Sequence, residues 1–228
     1  METISVNEIK KRAKSLGADL CGIASIDRFI DAPTGFHPDD VLKQCKSVIV
    51  LAVRFPNSTL AASSQAAYTF VRNRVTHKID TITFQISSEL EDLGGCAVPI
   101  PSTDPYDYWD ESRRHGQGII SLKHAAVRAG LGQMGKNTLL VNDQLGNMLW
   151  LGAVLLDKEL EPDQMAIYQT CMPDCRICLD ACPANAMNGI TVEQQKCRSI
   201  SGKSSAGGGL VYACNLCRKL CPNREGIS

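Results

Sequence analysis

Eight cysteines in the last quarter of the chain are the residues whose types and spacing are suited to chemistry. They fall into two sequence sets of four, and each set ends in Cys-x2-Cys-x3-Cys-Pro. The sets are Cys171, Cys175, Cys178 and Cys182, and Cys197, Cys214, Cys217 and Cys221. Bacterial ferredoxins hold [4Fe-4S] clusters with such a run, because short gaps let a tight loop point several thiolates at one cubane. The sequence therefore predicts two [4Fe-4S] clusters.

The last cysteine of each set is expected to serve the other cluster, as it does in two-cluster ferredoxins. By that rule the clusters would be held by Cys171, Cys175, Cys178 and Cys221, and by Cys182, Cys197, Cys214 and Cys217. The alternative is a local arrangement, in which each run closes its own cluster.

Three other interpretations of the cysteines compete. Zinc also takes four thiolates, but its usual spacing is two Cys-x2-Cys pairs without the x3-Cys-Pro ending. Disulfides would suit a secreted chain, and free buried cysteines would not be so concentrated. Two gaps depart from the simplest run: residues 172–174 add one position, and sixteen residues separate Cys197 from Cys214. Neither departure removes a ligand.

The composition predicts one or two domains, with a core of about 150–170 residues ahead of the cysteines. We expect an α/β cofactor or substrate domain at 1–165 and a ferredoxin-like domain at 166–228. Lys plus Arg and Asp plus Glu both number 24, so the net charge is zero. Without a basic stripe, no nucleic-acid partner is expected. The amphipathic N-terminus and the lack of long apolar runs predict a cytoplasmic protein with no membrane contact.

Strands and helices are expected to alternate ahead of the cysteines. Ser5 and Glu8 have capping-box spacing, and Gly17 suits the end of the first helix. The expected elements are a helix at 6–16, a strand at 20–24, a loop at 31–40, a central strand at 47–53, a helical region at 58–93, a strand at 96–101, a polar loop at 101–118, a helix at 122–129 and a hairpin with arms at 138–142 and 148–156.

The glycine loop (Gly130–Thr138) satisfies G-x-G-x-x-G and nearly satisfies the phosphate-binding G-x4-G-K-[ST]. Both motifs require a strand before the loop and a helix after it, whereas the order here is reversed. This excludes a P-loop and disfavours a dinucleotide fold, leaving either a glycine-rich turn or a loop that approaches a large cofactor. The candidate cofactor-binding residues are Gly130, Gly132, Gly135, Lys136 and Asn137.

Residues 121–138, together with the two cysteine sets, resemble the epoxyqueuosine reductase family, which is related to the reductive dehalogenases. The likeness covers most of residues 1–222. It implies a base-off cobalamin on an α/β core similar to flavin nitroreductases, fed with electrons by two [4Fe-4S] clusters. The sequence has no D-x-H-x-x-G motif to supply a histidine to cobalt; His115-x-x-Gly118 comes nearest, with Arg113 in the place of the aspartate.

Two departures from that family affect the expected chemistry. The family's acidic proton donor would fall at Gly116, beside His115, so the carboxylate is absent or displaced to Asp104 or Asp110. The tRNA-binding helical repeats that follow the clusters in those enzymes are not found in these 228 residues. The candidate catalytic proton donors are His115, Tyr106 and Tyr108. Histidine is the more natural of the two types, because its unperturbed pKa is about 6.5 and that of tyrosine about 10.

The expected fold class is therefore α+β: an α/β core resembling nitroreductase-like cobalamin-binding domains, followed by a bacterial 2[4Fe-4S] ferredoxin-like module. The expected function is that of an iron-sulfur redox protein. It would pass electrons to a cofactor, cobalamin by resemblance, or to a substrate on the N-terminal domain. An electron carrier without chemistry of its own and a flavin-dependent reductase are the alternatives. The expected partner is a redox protein or a small-molecule substrate.

Overall fold

A four-stranded antiparallel sheet lies at the centre of the protein. The structure is a computed structural model and describes residues 5–205 and 207–227. The strands are β1 (Leu20–Ser25), β2 (Ser47–Arg54), β3 (Ala97–Ile100), β4 (Tyr108–Asp110), β5 (His115–Gln117), β6 (Gln133–Met134), β7 (Leu140–Val141), β8 (Leu149–Leu156), β9 (Gly202–Ser204) and β10 (Leu210–Tyr212). The helices are α1 (Val6–Ser15), α2 (Pro38–Val41), α3 (Gln65–Asp92), α4 (Leu122–Arg128), α5 (Ile177–Asp180), α6 (Gln194–Ser201) and α7 (Leu216–Lys219), with 3-10 turns at Ile26–Phe29 and Asn57–Ala61.

The sheet has the order β1-β2-β8-β3 and is covered on both faces. Successive residues of β2 point to opposite sides, as in any strand, so its continuous apolar run feeds two cores. Ile49 and Leu51 pack with α1 and α3, whereas Val48 and Val50 pack with α4. The mixed α and β architecture is thus confirmed, and its central strand is the one expected from the sequence.

The long helix α3 lies very close to β8. A Cβ atom on Gly152 would stand 2.8 Å from side-chain carbons of both Ile79 and Thr83. One apolar stripe of this helix is buried, at Val75, Ile79, Ile82, Ile86 and Leu90, while Val71 at its start is partly buried. The helix begins at Gln65, later than the expected position 58, because a 3-10 turn occupies Asn57–Ala61.

Two local predictions need correction. The segment 31–40 is not only a loop, since α2 begins inside it. The His37 ring accepts from the Asp39 N–H, and the Asp40 carboxylate accepts from the His37 N–H. The helix predicted at 6–16 is confirmed as α1, and Gly17, with a φ of +97°, follows its end. Ser5, however, makes no capping hydrogen bond through its side chain.

The predicted hairpin of 138–142 with 148–156 is wrong. β7 pairs with β6, and Asn142 and Gly146 close a tight turn by exchanging both backbone hydrogen bonds. β8 lies between β2 and β3. Its side chains are almost all buried, so pairing on both edges satisfies its backbone where water is absent.

The cysteine segment (residues 166–205 and 207–227) consists of short elements. The four-residue helices α5 and α7 occupy equivalent places in the two Cys-x2-Cys-x3-Cys runs and pack against each other. The hairpin β9–β10 lies in the long gap between Cys197 and Cys214 and attaches to α3, where the Tyr212 N–H donates to Thr69 Oγ1 at 2.8 Å. No helix in the described parts of the chain is long and apolar enough to cross a membrane.

Candidate functional site

The first cysteine group comprises Cys171, Cys175, Cys178 and Cys221, which come from both sequence sets. Burial raises the pKa of the Cys178 thiol, and the charges of Cys221, Cys171 and Cys175 raise it further. Burial likewise raises the pKa of Cys221, with added contributions from Cys171 and Cys175. These four thiols are therefore near enough to act on one another electrostatically.

The second cysteine group comprises Cys182, Cys197, Cys214 and Cys217. Burial raises the pKa of the Cys197 thiol, which the charges of Cys214 and Cys182 also raise. Burial raises the pKa of Cys217 to about 11; the Arg218 charge opposes this, and Cys197 and Cys214 add to it. The charges that act on Cys197 and Cys217 thus come mostly from members of the crossed pairing, whose role as cluster ligands stays a prediction.

The two groups also lie beside each other, since Cys178 of the first group raises the pKa of Cys217 in the second. The Ala186 N–H donates to Cys182 Sγ at 3.3 Å, and the Lys136 N–H donates to Cys171 Sγ at 3.4 Å. Backbone donors of this kind tune the potential of iron-sulfur clusters. Among the described residues, no three His, Cys, Asp or Glu side chains are placed to share a single metal ion.

The glycines of the glycine loop pack closely against other parts of the chain. A Cβ on Gly130 would stand 2.1 Å from the Gln164 carbonyl oxygen, and one on Gly132 would stand 2.5 Å from that of Val141. Gly130 also has a φ of +76°, which favours glycine. The Asn137 amide donates to the Cys217 carbonyl, and Lys136 reaches the carbonyls of the first cysteine run. The five predicted cofactor-binding residues thus contact this chain, and their binding to a cofactor stays a prediction.

A cavity of about 820 Å³ lies between the sheet, α4, the polar segment 101–121 and the cysteine segment. The glycine loop contributes only Met134 and Thr138 to its wall. The cysteine segment contributes residues 190–192, Gln194 and Arg218. A space for a ligand therefore exists between the core and the second cysteine group, although other residues line it than the sequence suggested.

Cationic and neutral side chains line this cavity. Lys123 and Arg218 both lie on its wall. No Asp or Glu of the described structure lines it. Burial lowers the pKa of Lys123, the charge of Cys217 raises it and that of Arg218 lowers it. Arg218 is 7% exposed, its guanidinium lies 5.4 Å from the centre of the Trp150 ring, and it donates to the Asn147 carbonyl. Both cations thus lie close to Cys217.

Two residues of the cavity wall each carry a buried polar atom that has no hydrogen-bond partner among the described residues. They are Ser102 Oγ and Asn147 Oδ1. A buried polar atom that stays unpaired costs free energy, so such atoms mark places where a ligand or water completes the bonding.

The predicted proton donors lie on the polar segment that closes one side of the cavity. His115 and Tyr106 are on the cavity wall, whereas Tyr108 is 45% exposed and lies outside it, with its ring 6.5 Å from that of His115. Arg198 of α6 donates to the Tyr106 hydroxyl at 3.2 Å. Gln194 exchanges two hydrogen bonds with the backbone of Gly116, at 2.9 and 3.1 Å. The polar segment is therefore held in place by α6.

The displaced carboxylates are not on the cavity wall. Asp104 accepts from Thr103 Oγ1. Asp110 accepts from Ser112 Oγ and the Arg113 N–H, and these hydrogen bonds lower the pKa of Asp110. Sequence reasoning missed Ser102, Lys123, Asn147 and Arg218. Only Arg218 carried a signal, its position directly after Cys217 in a cluster run.

Comparison with solved structures shows the fold that this chain shares with known proteins. The fold is shared with an epoxyqueuosine reductase from Streptococcus thermophilus at a TM-score of 0.67 and 22% identity, over 97% of this chain and 66% of that one. It is shared with a reductive dehalogenase of B12-dependent mechanism at a TM-score of 0.70 and 20% identity, over 95% of this chain and 31% of that one. No family model matches the sequence.

Sequence relatives confirm the resemblance to the epoxyqueuosine reductases. The protein of that name from Staphylococcus aureus is 27% identical over 248 residues, covering 97% of this chain. The one from Leadbetterella byssophila is 26% identical over 258 residues, covering 94% of this chain and 78% of its own length. The chain spans 59% of the length of the S. aureus protein.

The exclusion of nucleic acid from the partners is wrong. An epoxyqueuosine reductase of the same fold, at a TM-score of 0.61, has been solved with an epoxyqueuosine-modified stem loop of tRNA-Tyr. Net charge was a poor guide, because a balanced total does not report how charges are distributed around one binding site.

Proposed function

We propose that this chain is an oxidoreductase in which two [4Fe-4S] clusters deliver electrons to a corrinoid held in the cavity. The observation that carries the proposal is the place of the cavity. Its wall includes the sheet and α4 on one side and Arg218, the neighbour of Cys217, on the other. A ligand there would lie next to the second cysteine group.

The residues present fit both kinds of cofactor. Each cysteine group offers four thiols, the number that a [4Fe-4S] cluster requires, and the pKa values of Cys178 and Cys197 respond to the charges of other thiols in their groups. The unpaired Asn147 Oδ1 and Ser102 Oγ on the cavity wall suit the amide side chains of a corrinoid, which both donate and accept hydrogen bonds. When bound, the clusters would supply single electrons and the corrinoid a redox-active cobalt ion.

The chain's own side chains would bind, orient and deliver protons. His115 and Tyr106 would be the proton donors, and Arg198, which donates to the Tyr106 hydroxyl oxygen, would leave the hydroxyl proton free to point elsewhere. Lys123 and Arg218 would offset negative charge on the second cluster or on the ligand. We propose no role in proton delivery for Asp104 or Asp110, which lie off the cavity wall.

Reduction of epoxyqueuosine is the activity in the relatives' name, and an epoxyqueuosine-modified tRNA stem loop is the first substrate to test. The chain spans 59% of one such relative, so this activity is a proposal that requires its own assay. A structure of a relative with a tRNA stem loop supports the choice of that substrate.

A second candidate function, an electron carrier without chemistry of its own, is favoured by one observation. The glycine loop, which resembles the segment of cofactor-binding relatives, packs against Gln164, Val141 and the cysteine segment. On this hypothesis the cavity would hold only solvent.

Anaerobic purification and reconstitution decide between the candidates. We expect about eight irons and eight acid-labile sulfides per chain, and stoichiometric binding of added cobalamin seen in its absorption spectrum. FMN binding in place of cobalamin would favour a flavin-dependent reductase. Clusters without binding of either cofactor would favour the carrier. Stoichiometric zinc without sulfide would contradict all three functions.

A further inference from the structure

Lys136 is tied to the backbone of the first cysteine run. Its ammonium group donates to the carbonyl oxygens of Met172 at 3.3 Å, Cys175 at 3.0 Å and Pro173. Its own backbone N–H donates to Cys171 Sγ at 3.4 Å. One residue therefore makes four hydrogen bonds to the loop that carries the first two ligands of the first cysteine group.

The next residue, Asn137, makes the equivalent connection to the second cysteine group. It is 3% exposed, and its amide donates to the Cys217 carbonyl at 3.2 Å. Its Oδ1 accepts from the Leu139 N–H, which fixes the side chain within the loop. A Cβ at Gly135 would lie 2.7 Å from this Oδ1, so the loop must have glycine there for Asn137 to adopt this position.

The positive charge of Lys136 lies among carbonyl oxygens of the first cysteine run. No carboxylate lies within ion-pair distance of it in residues 5–205 and 207–227. All three ammonium bonds go to carbonyls of a loop that would surround an anionic cluster. A fixed positive charge beside such a cluster favours its reduced, more negative state.

We propose that Lys136 and Asn137 are positioning residues for electron transfer. Lys136 orders the loop of the first cysteine group and raises the reduction potential of its cluster, while Asn137 anchors the second group to the core. The glycine loop thus acts as a clamp across both clusters rather than as a cofactor cradle. This inference rests on the proposed function only for the presence of the clusters.

Three variants of the full chain test the clamp. Lys136→Met keeps the length of the side chain and removes its charge and donors, whereas Lys136→Arg keeps the charge and can restore part of the bonding. Asn137→Ala removes the bond to Cys217. The matched controls are Lys43→Met, which removes a 77% exposed lysine, and Asn142→Ala. Asn142 is a buried asparagine bonded to Leu131 O and to the 144–145 backbone rather than to the cysteine segment.

The measurements are the midpoint potential of each cluster, by redox titration with electron paramagnetic resonance, and the rate of iron release to a chelator. We expect Lys136→Met to lower the potential of the first cluster and to speed its iron release roughly tenfold, because three hydrogen bonds are lost. Lys136→Arg should keep the wild-type potential. Asn137→Ala should speed iron release from the second cluster only, and both controls should release iron as the wild type does.

An unchanged first-cluster potential in Lys136→Met, with or without faster iron release, would overturn the proposal. So would equal iron release from Asn137→Ala and Asn142→Ala. If Lys136→Met retains no first cluster, Lys136→Gln, which keeps a donor without the charge, is judged by the same criteria. Intact clusters that are insensitive to these changes would overturn the clamp alone. A wild-type chain without iron and sulfide would overturn the clusters and the clamp together.

Discussion

At the scale of single residues, the cysteines differ in what surrounds them. Eight thiols form two interacting groups, whereas Cys21, Cys45 and Cys96 lie outside both. The assignment of these cysteines to two clusters follows from the ferredoxin-like spacing and stays a prediction. The closeness of Lys123 to Cys217 and Arg218 could not be predicted from the sequence, because residues far apart in sequence meet only in the fold.

The crossed membership predicts which cluster each cysteine serves. Cys182→Ser should alter the spectrum of the cluster at Cys197, Cys214 and Cys217 and leave the other intact, because the pKa of Cys197 responds to the charge of Cys182. Cys221→Ser should do the reverse, since Cys221 raises the pKa of Cys178. Resolved electron paramagnetic resonance spectra of the two variants check this. The opposite pairing of variants and spectra would mean that each run closes its own cluster.

Cys21 and Cys45 should be chemically inert. Burial raises the pKa of the Cys21 thiol to about 12 and that of Cys45 to about 11, so little thiolate forms below pH 10. We expect iodoacetamide to label neither residue in the folded protein at pH 8, while the exposed Cys96 is labelled. Mass spectrometry of the digested protein measures this, and labelling of Cys21 as fast as Cys96 would contradict it.

The same two thiols give the free energy of unfolding a pH dependence. The unfolded chain loses these protons near the ordinary value of 9.0, whereas the folded chain keeps them until pH 11 to 12. Their contribution to the free energy of unfolding is fully present below pH 9 and is lost as the pH rises from 9 through 11 to 12. Urea titrations at pH 8 and at pH 10 should show that the free energy of unfolding decreases less between these pH values in Cys21→Ala than in the wild type.

At the scale of elements, apolar patterns predicted the sheet and its helices better than they predicted strand pairing. The runs at β2 and β8 are both recognisable as buried strands, but a continuous apolar run does not specify its partners. Pro99 lies on β3 at the edge of the sheet, where a missing N–H is tolerated. α2 was missed because its cap uses the His37 ring, a residue type outside the usual capping signals.

The contact of α3 with β8 predicts a strong size limit at Gly152. Gly152→Ala should lower the free energy of unfolding by about 1–3 kcal/mol, because the new methyl group overlaps Ile79 and Thr83. Gly207→Ala, at a glycine with nothing within 4 Å, is the matched control. Urea denaturation measures both. Thr83→Ser removes one of the overlapping carbons, so it should recover part of the loss; an equal loss at Gly152 and Gly207 would contradict the close packing.

At the scale of the whole molecule, the cavity exists only because two parts of the chain meet. The sheet and α4 supply one wall, and residues 190–192, Gln194 and Arg218 supply the other. The resemblance seen in the sequence assigned a cofactor site to the glycine loop, and that assignment stays a prediction. The loop contacts the cysteine segment through Lys136 and Asn137, while Gly130 and Gly132 let its backbone approach that of Gln164 and Val141.

A substitution that fills the cavity should therefore separate ligand binding from cluster assembly. Thr191 lies on the cavity wall and is exposed, so Thr191→Trp can occupy this space without disturbing a buried core. We expect the variant to keep its iron and sulfide content and to bind cobalamin at least about tenfold more weakly, as measured by absorption titration. Thr81→Trp, at an exposed threonine of α3 on another surface, should bind cobalamin as the wild type does. Equal affinities in the two variants would place the cofactor elsewhere on the molecule, and loss of iron from Thr191→Trp alone would mean that this wall also supports the second cysteine group.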